Sequence, residues 1–256
     1  MGERIRIRGV VQGVGFRPTV VRVAQRMGVN GFVRNEGDAV LIGVTGGDDE
    51  RDAFLSALMH ELPPLARVDA VERDPAPELK LDEGFRIERS AQLDAPTEVA
   101  ADAAVCADCA IEVLDPYARR FRYPLVTCTN CGPRYSIATG VPFDRERTTM
   151  ADFALCADCA AEFSDPTDRR FHAQAMACFR CGPQVRLERA DGRAFAVDRF
   201  SMLDAVDAVG SLLLLGEIVA VKGLGGYHLC CYATNAEAVA KLRQRKRRSA
   251  KPFALM

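Results

Sequence analysis

The stretch RIRIRGVVQGVGFRP, residues 4–18, decides the fold of the first part of the chain. Ile5, Ile7 and Gly9 alternate with Arg4, Arg6 and Arg8, the two-residue period of a strand with one buried face. A glycine-rich loop follows, and Pro18 fits the first turn of a helix, where its missing N–H costs nothing. Val20, Val21, Val23, Ala24 and Met27 give that helix an apolar face until Gly28 stops it. Outward from there, residues 31–35 and 39–45 read as two strands joined at Glu36-Gly37-Asp38. Asp48 and Asp49 begin a second helix with Phe54, Leu55, Leu58 and Met59 at helical spacing, and Pro63-Pro64 end it. Strands near 67–73 and 85–89 complete a β-α-β-β-α-β order plus a short edge strand. That order predicts a ferredoxin-like sandwich over residues 1–90, within a chain of α+β class.

The loop Gln12, Gly13, Val14, Gly15, Phe16 has the makings of an anion site. A glycine-rich turn entering a helix N-terminus aims several backbone N–H groups at one point, and the helix dipole adds positive character there. Arg17, at its mouth, can clamp phosphoryl oxygens through two parallel hydrogen bonds. The dinucleotide fingerprint is not met, because Pro18 stands where its third glycine belongs.

GVVQGVGFRP, with Gly31-Phe32-Val33-Arg34-Asn35 about one helix later, resembles the acylphosphatase family. The resemblance implies that Arg17 binds the phosphoryl group and that Asn35 orients the attacking water. An acyl phosphate carries a good leaving group, so placing water in line and stabilising the equatorial oxygens is sufficient without a protein nucleophile. No Ser-His-Asp or Cys-His set is evident in the sequence. Read locally, Asn35 before Glu-Gly-Asp is also an ordinary turn residue.

Ten cysteines fall in the chain, and eight form four Cys-x-x-Cys knuckles: Cys106/Cys109, Cys128/Cys131, Cys156/Cys159 and Cys178/Cys181. The second half repeats the first at an offset of fifty, VCADCAIEVLDPYARRF at 105–121 returning as LCADCAAEFSDPTDRRF at 155–171. Such knuckles supply four thiolates per ion, the closed sphere preferred by structural zinc, so eight ligands serve two zinc ions. Pairing within a repeat and pairing across repeats both remain open. A disulfide framework would require an oxidising compartment and a smaller, more cysteine-rich chain. Residues 95–188 are expected to form this tandem module, to depend on metal for stability, and to melt on chelation while the first domain stays folded. Cys230 and Cys231 stand apart, in a short apolar run where buried free thiols are common.

At 256 residues and 48% hydrophobic content the chain suits two or three domains. No secretory signal or myristoylation site is visible, and the longest aliphatic run, Leu212 to Leu215, is far short of the roughly twenty residues of a spanning helix. A cytoplasmic protein with no membrane association is the expectation. Net charge is −1, which excludes a chain-wide polycation. A local patch exists at Arg243, Arg245, Lys246, Arg247, Arg248 and Lys251, readable as a phosphate site or as a solvated helix end.

From about residue 200, α/β patterning restarts. Met202, Leu203, Val206, Val209 and Leu212 to Leu215 suit a helix, 218–221 a buried strand, and 237–245 a helix capped by Asn235. With one clear strand in about 55 residues, a sheet cannot close, and a longer domain is expected. Acylphosphatase-like residues, two four-cysteine repeats and Lys222-Gly223-Leu224-Gly225-Gly226-Tyr227-His228-Leu229 occur in the order that resembles the HypF family of carbamoyltransferases. The resemblance implies that residues 200–256 begin a YrdC-like domain binding nucleotide through Lys222, Lys246, Arg248 and Lys251. It also implies a relay: carbamoyl phosphate is hydrolysed, the carbamate is adenylated with ATP, and the carbamoyl group passes to a C-terminal cysteine of the partner HypE. There it becomes the cyanide ligand of a nickel–iron hydrogenase centre. Tyr232 departs from the family pattern, which has aspartate there.

The rival class is a zinc-ribbon nucleic-acid-binding protein, with the basic run as its electrostatic footprint. A pI near 6.3, an aromatic content of 7% and the lack of aromatic-basic interleaving at the knuckles speak against it.

Overall fold

A computed structural model describes residues 2–80, 83–91, 98–193 and 204–256. The helix residues Met202 and Leu203, and the expected segment starts at 95 and 200, lie outside the described residues. Packing divides the chain into two units, residues 1–183 and residues 184–256.

The first unit opens with β1 (Gly2–Val10), α1 (Phe16–Met27), β2 (Asn30–Glu36), β3 (Ala39–Thr45), α2 (Asp48–His60), β4 (Arg67–Pro75) and β5 (Phe85–Ile87). The sheet order is β4-β1-β3-β2-β5, antiparallel except for the parallel β2–β5 pair, so the ferredoxin-like expectation holds. Ile5 and Ile7 face the core while Arg6 pairs with Glu36 and Arg8 with Asp38 on the other face. The central β3 is buried along nearly its whole length. Its second face is closed locally, because Gly43 leaves the space that the Phe32 ring fills. Arg51 and Arg73 both hold the buried Glu3 carboxylate, at 3.1 and 2.7 Å, joining α2 to the sheet edge.

The cysteine module packs in the same unit. Its helices are α3 (Ala107–Leu114) and α4 (Ala157–Ser164), each preceded by a knuckle cysteine as N-cap. Ala100 and Phe171 of this part lie in one apolar cluster with Ile5, Val20 and Phe54 of the sandwich. The two parts therefore share an apolar cluster, which bears on the expectation that the first domain stays folded on chelation.

The second unit contains α5 (Ala205–Leu214), β6 (Val219–Gly223), β7 (Gly226–Cys230) and α6 (Ala236–Lys246). Asp204 and Asn235 cap α5 and α6 through their side chains. β6 and β7 form an antiparallel hairpin, so the Gly-rich stretch is a turn between two strands, not the end of one. Within β6 only Val219 is buried and Ala220 to Lys222 are exposed, which corrects the buried-strand expectation for 218–221. Cys230 and Cys231 are partly exposed rather than buried.

Candidate active site and metal centres

The loop between β1 and α1 takes its shape from two glycines in the left-handed region, Gly13 at φ 72° and Gly15 at φ 80°. Gly15 is the N-cap of α1 and no side chain caps it. The N–H groups of the first helical turn thus have no intrahelical acceptor and point out of the helix end. Gln12 ties the loop to the β2–β3 turn, its side-chain amide donating to Gly37 O at 2.9 Å and Ala39 O at 3.3 Å. Val14 and Phe16 are buried in the core, so they anchor the loop and leave its main chain to face the site.

The cysteine module covers this loop. Phe143 packs against Gly13, where an added Cβ would meet the ring at 3.1 Å. The Phe143 N–H donates to Gln12 Oε1 at 3.4 Å, and Arg134 Nε donates to Gly13 O at 2.6 Å. Arg17 is 8% exposed. Its Nη2 donates to Asp144 Oδ1 at 2.6 Å and its Nη1 to Ser90 Oγ at 3.3 Å, while Ser90 Oγ donates to Asp144 Oδ2 at 2.5 Å. Burial pushes the Asp144 carboxyl up, but the Arg17 charge and the Ser90 hydrogen bond outweigh it and leave the group below the ordinary carboxylate range. His172 lines the same cleft; burial, reinforced by the Arg17 charge and opposed by Asp144, pushes its imidazole down to about 4. It is neutral at pH 7. The cleft has a volume of about 620 Å³ and reaches Arg17, Ser90, Asp144, His172 and Gln174.

Asn35 sits on β2 two residues after the core residue Val33, so the strand period turns it to the helix-covered face. Its carbonyl accepts the Ala91 N–H at 2.9 Å, next to the Ser90 that touches Arg17. The side chain is fully buried, and neither Nδ2 nor Oδ1 has a hydrogen-bond partner among the described residues. A buried amide left unpaired costs about 1–3 kcal/mol, a penalty offset at functional sites by what the group receives.

The knuckles pair within repeats. Cys106, Cys109, Cys128 and Cys131 form one cluster and Cys156, Cys159, Cys178 and Cys181 the other, with the sulfurs of each within 4.8 Å of one another. Four converging sulfurs fit one tetrahedral ion per cluster, with no position left for a catalytic water. The arginines of each repeat serve the other one. Arg119 Nη1 donates to Cys159 Sγ at 3.3 Å, and Arg169 Nη1, fifty residues on, donates to Cys109 Sγ at 3.0 Å. Arg120 Nε donates to Ala177 O at 2.8 Å, and Arg170 Nε to Thr127 O at 3.0 Å. Arg120 also pairs with Glu162 at 2.5 Å, and Arg170 pairs with Glu112. Burial pushes the Glu162 carboxyl up, but hydrogen bonds from Arg120 and Arg119 prevail and hold it at about 2. These cations are engaged inside the module, which removes them from any phosphate-binding surface.

In the second unit, Lys222 lies opposite Tyr227 in the β6–β7 ladder and Lys246 ends α6, both exposed. Arg248 donates to Pro252 O at 3.0 Å and lies 5.7 Å from the Phe253 ring, and Lys251 is exposed. Arg243 donates to the carbonyls of Arg248 and Lys251, at 2.9 and 3.1 Å, and so folds the basic segment back on the helix.

Residues 3–87 match the acylphosphatase family, residues 105–138 and 155–188 the HypF finger, and residues 211–256 the family described as Telomere recombination. An acylphosphatase of Thermococcus kodakarensis is 50% identical over 68 residues, covering 27% of this chain and 75% of that protein. The carbamoyltransferase HypF of Rhodobacter capsulatus is 52% identical over 255 residues, 99% of this chain and 33% of that protein. The chain belongs to the HypF family. A full-length HypF crystallised in a phosphate- and nucleotide-bound form superposes with a TM-score of 0.82 at 40% identity, covering 99% of this chain and 32% of that one. The present HypF-family chain thus spans about a third of the length of the HypF relatives it matches.

Asp144, Ser90 and His172 were not expected from the sequence. Asp144 lies between the two finger matches, where no repeat or spacing marks it. Its only signal is three-dimensional, a carboxylate 127 positions from the arginine it contacts. No helix among the described residues is long and apolar enough to cross a membrane.

Proposed function

We propose that this chain hydrolyses acyl phosphates, carbamoyl phosphate among them, at the site formed by the 12–17 loop, Arg17 and Asn35. The observation that carries the reading is the Asn35 amide, fully buried, without a partner among the described residues, and on the sheet face that α1 covers. It has one N–H₂ donor group and one carbonyl acceptor with which to hold a water. The loop N–H groups and Arg17 take the equatorial phosphoryl oxygens. Water attacks phosphorus, the bond from phosphorus to the acyl oxygen breaks, and its electron pair leaves on carbamate. Carbamoyl phosphate dianion and water thereby give carbamate and dihydrogen phosphate.

Within the longer HypF proteins, this step would feed a carbamoyltransferase that adenylates carbamate with ATP and carbamoylates the C-terminal cysteine of HypE, in the cytoplasm, during nickel–iron hydrogenase maturation. Lys222, Lys246, Arg248 and Lys251 are the proposed phosphate contacts of the YrdC-like part. The two cysteine clusters are proposed to hold one structural zinc each, a role supported by their all-thiolate donor sets. The test is phosphate release from carbamoyl phosphate by the chain and by Arg17→Ala and Asn35→Ala, with unfolding curves to verify folding. Each variant is expected to lose roughly 10²–10³-fold, the effect of removing one positioned donor. Equal rates for all three proteins would refute the reading, and elemental analysis giving fewer than two zinc ions per chain would refute the metal assignment.

A further inference from the structure

Arg17 is held by a carboxylate that the acylphosphatase part of the chain does not contain. The 68 residues aligned with the Thermococcus acylphosphatase cannot span both Arg17 and Asp144. Asp144 is also held firmly in place. Its N–H donates to Pro142 O at 2.9 Å, its carbonyl accepts the Arg147 N–H at 2.8 Å, and its neighbours are fixed by Phe143 on Gly13 and by Arg145 N–H on Gln174 Oε1 at 2.8 Å.

We propose that Asp144 is a specificity-determining residue of the phosphatase site, admitting acyl phosphates whose acyl carbon bears an N–H donor and rejecting those that bear only carbon. The inference rests on the hydrolysis proposed above. Among the described residues, Arg17 engages Asp144 and Ser90 through two of its five N–H donors, leaving three for a phosphoryl group. Substrate and Asp144 are then held by one guanidinium, side by side. A carboxylate can only accept hydrogen bonds, and it repels a phosphoryl dianion placed next to it in a site with little water. An amino group on the acyl carbon offsets that repulsion by donating to the carboxylate, as carbamoyl phosphate does. The methyl group of acetyl phosphate leaves the carboxylate unpaired, and sites built around a buried polar group discriminate strongly against analogues lacking the partner.

The experiment compares kcat/KM for carbamoyl phosphate and acetyl phosphate in the chain as it stands, in Asp144→Ala and in the isosteric Asp144→Asn. The unaltered chain is expected to prefer carbamoyl phosphate by roughly 10–100-fold, the range of a charge-assisted hydrogen bond. In Asp144→Ala that ratio is expected to fall at least about tenfold, with acetyl phosphate hydrolysis rising in absolute rate, and Asp144→Asn, which keeps an acceptor oxygen but loses the charge, is expected to lie in between. A ratio unchanged in Asp144→Ala, with both substrates moving together, overturns the proposal and makes Asp144 a structural or general electrostatic residue. A starting ratio near unity overturns it as well. Failure of the underlying hydrolysis is distinguishable, because then Arg17→Ala leaves both rates where they were.

Discussion

Arg120→Leu is expected to destabilise the metal site of the other repeat. Arg120 is fully buried and makes hydrogen bonds to Ala177 O, Glu162 and Cys159 Sγ of the second repeat, with one longer bond, at 3.4 Å, to Glu112 of its own. Leucine keeps the apolar stem but leaves the Ala177 carbonyl without this donor and Glu162, among the described residues, with Arg119 at 2.6 Å. Breaking a buried ion pair from one side costs about 3–5 kcal/mol. For a unit of this size that is a fall of roughly 10 °C in Tm. Arg170→Leu should do the same to the first repeat, because its contacts to Thr127 O and Glu112 mirror those of Arg120. The assay is cysteine alkylation under native conditions, read peptide by peptide. Arg120→Leu should speed labelling of Cys156, Cys159, Cys178 and Cys181, and Arg170→Leu that of Cys106, Cys109, Cys128 and Cys131. If each substitution instead exposes the cysteines of its own repeat, the reciprocal arrangement is not what stabilises the clusters.

His172 gives the unit a pH dependence with a definite sign. With its folded value pushed down from 6.5 to about 4, the unfolded chain binds the proton and the folded one does not between those limits. Stability therefore rises with pH across that window and is lost as pH falls through it, by up to about 3 kcal/mol. Urea midpoints at pH 4.5, 5.5 and 7 should show this, and His172→Gln should flatten the slope; an unaltered slope counts against the assignment. Metal removal should loosen the 12–17 loop, since Arg134 lies three residues beyond Cys131 and donates to Gly13 O. Hydrogen exchange at residues 12–28 should accelerate on chelation, and exchange indifferent to chelator would restore the idea of an independent first domain.

The sandwich was legible because its signals are local. The Arg-Ile alternation of β1, the glycine at each end of α1 and the Pro63-Pro64 stop each act within a few residues. The four knuckles were equally plain, and pairing within repeats follows once α3 and α4 each place one knuckle beside the next. The hairpin partner β7 is hard to read from the sequence because it is only five residues long and almost wholly exposed, so burial leaves no mark on its pattern. The arginine pairs were visible twice in the repeat, yet a repeat reports that two environments are alike. It does not report that each environment is supplied by the other copy.

Asp144 shows why half of the site was out of reach. A loop sequence specifies its own backbone through Gly13 and Gly15, but the charge facing Arg17 is set by whichever surface docks over it. In this chain that surface is the segment between two metal clusters. Covering Arg17 to 8% exposure lowers the local dielectric and strengthens every charge interaction there, favourable or not. A site open to water would tolerate a neighbouring carboxylate at little cost; in a covered one the same carboxylate weighs on any anion beside it, which is the basis of the selection proposed for Asp144. On the proposed hydrolysis, the fingers contribute to the chemistry without touching phosphorus, because the segment between their clusters presents Asp144 to the arginine.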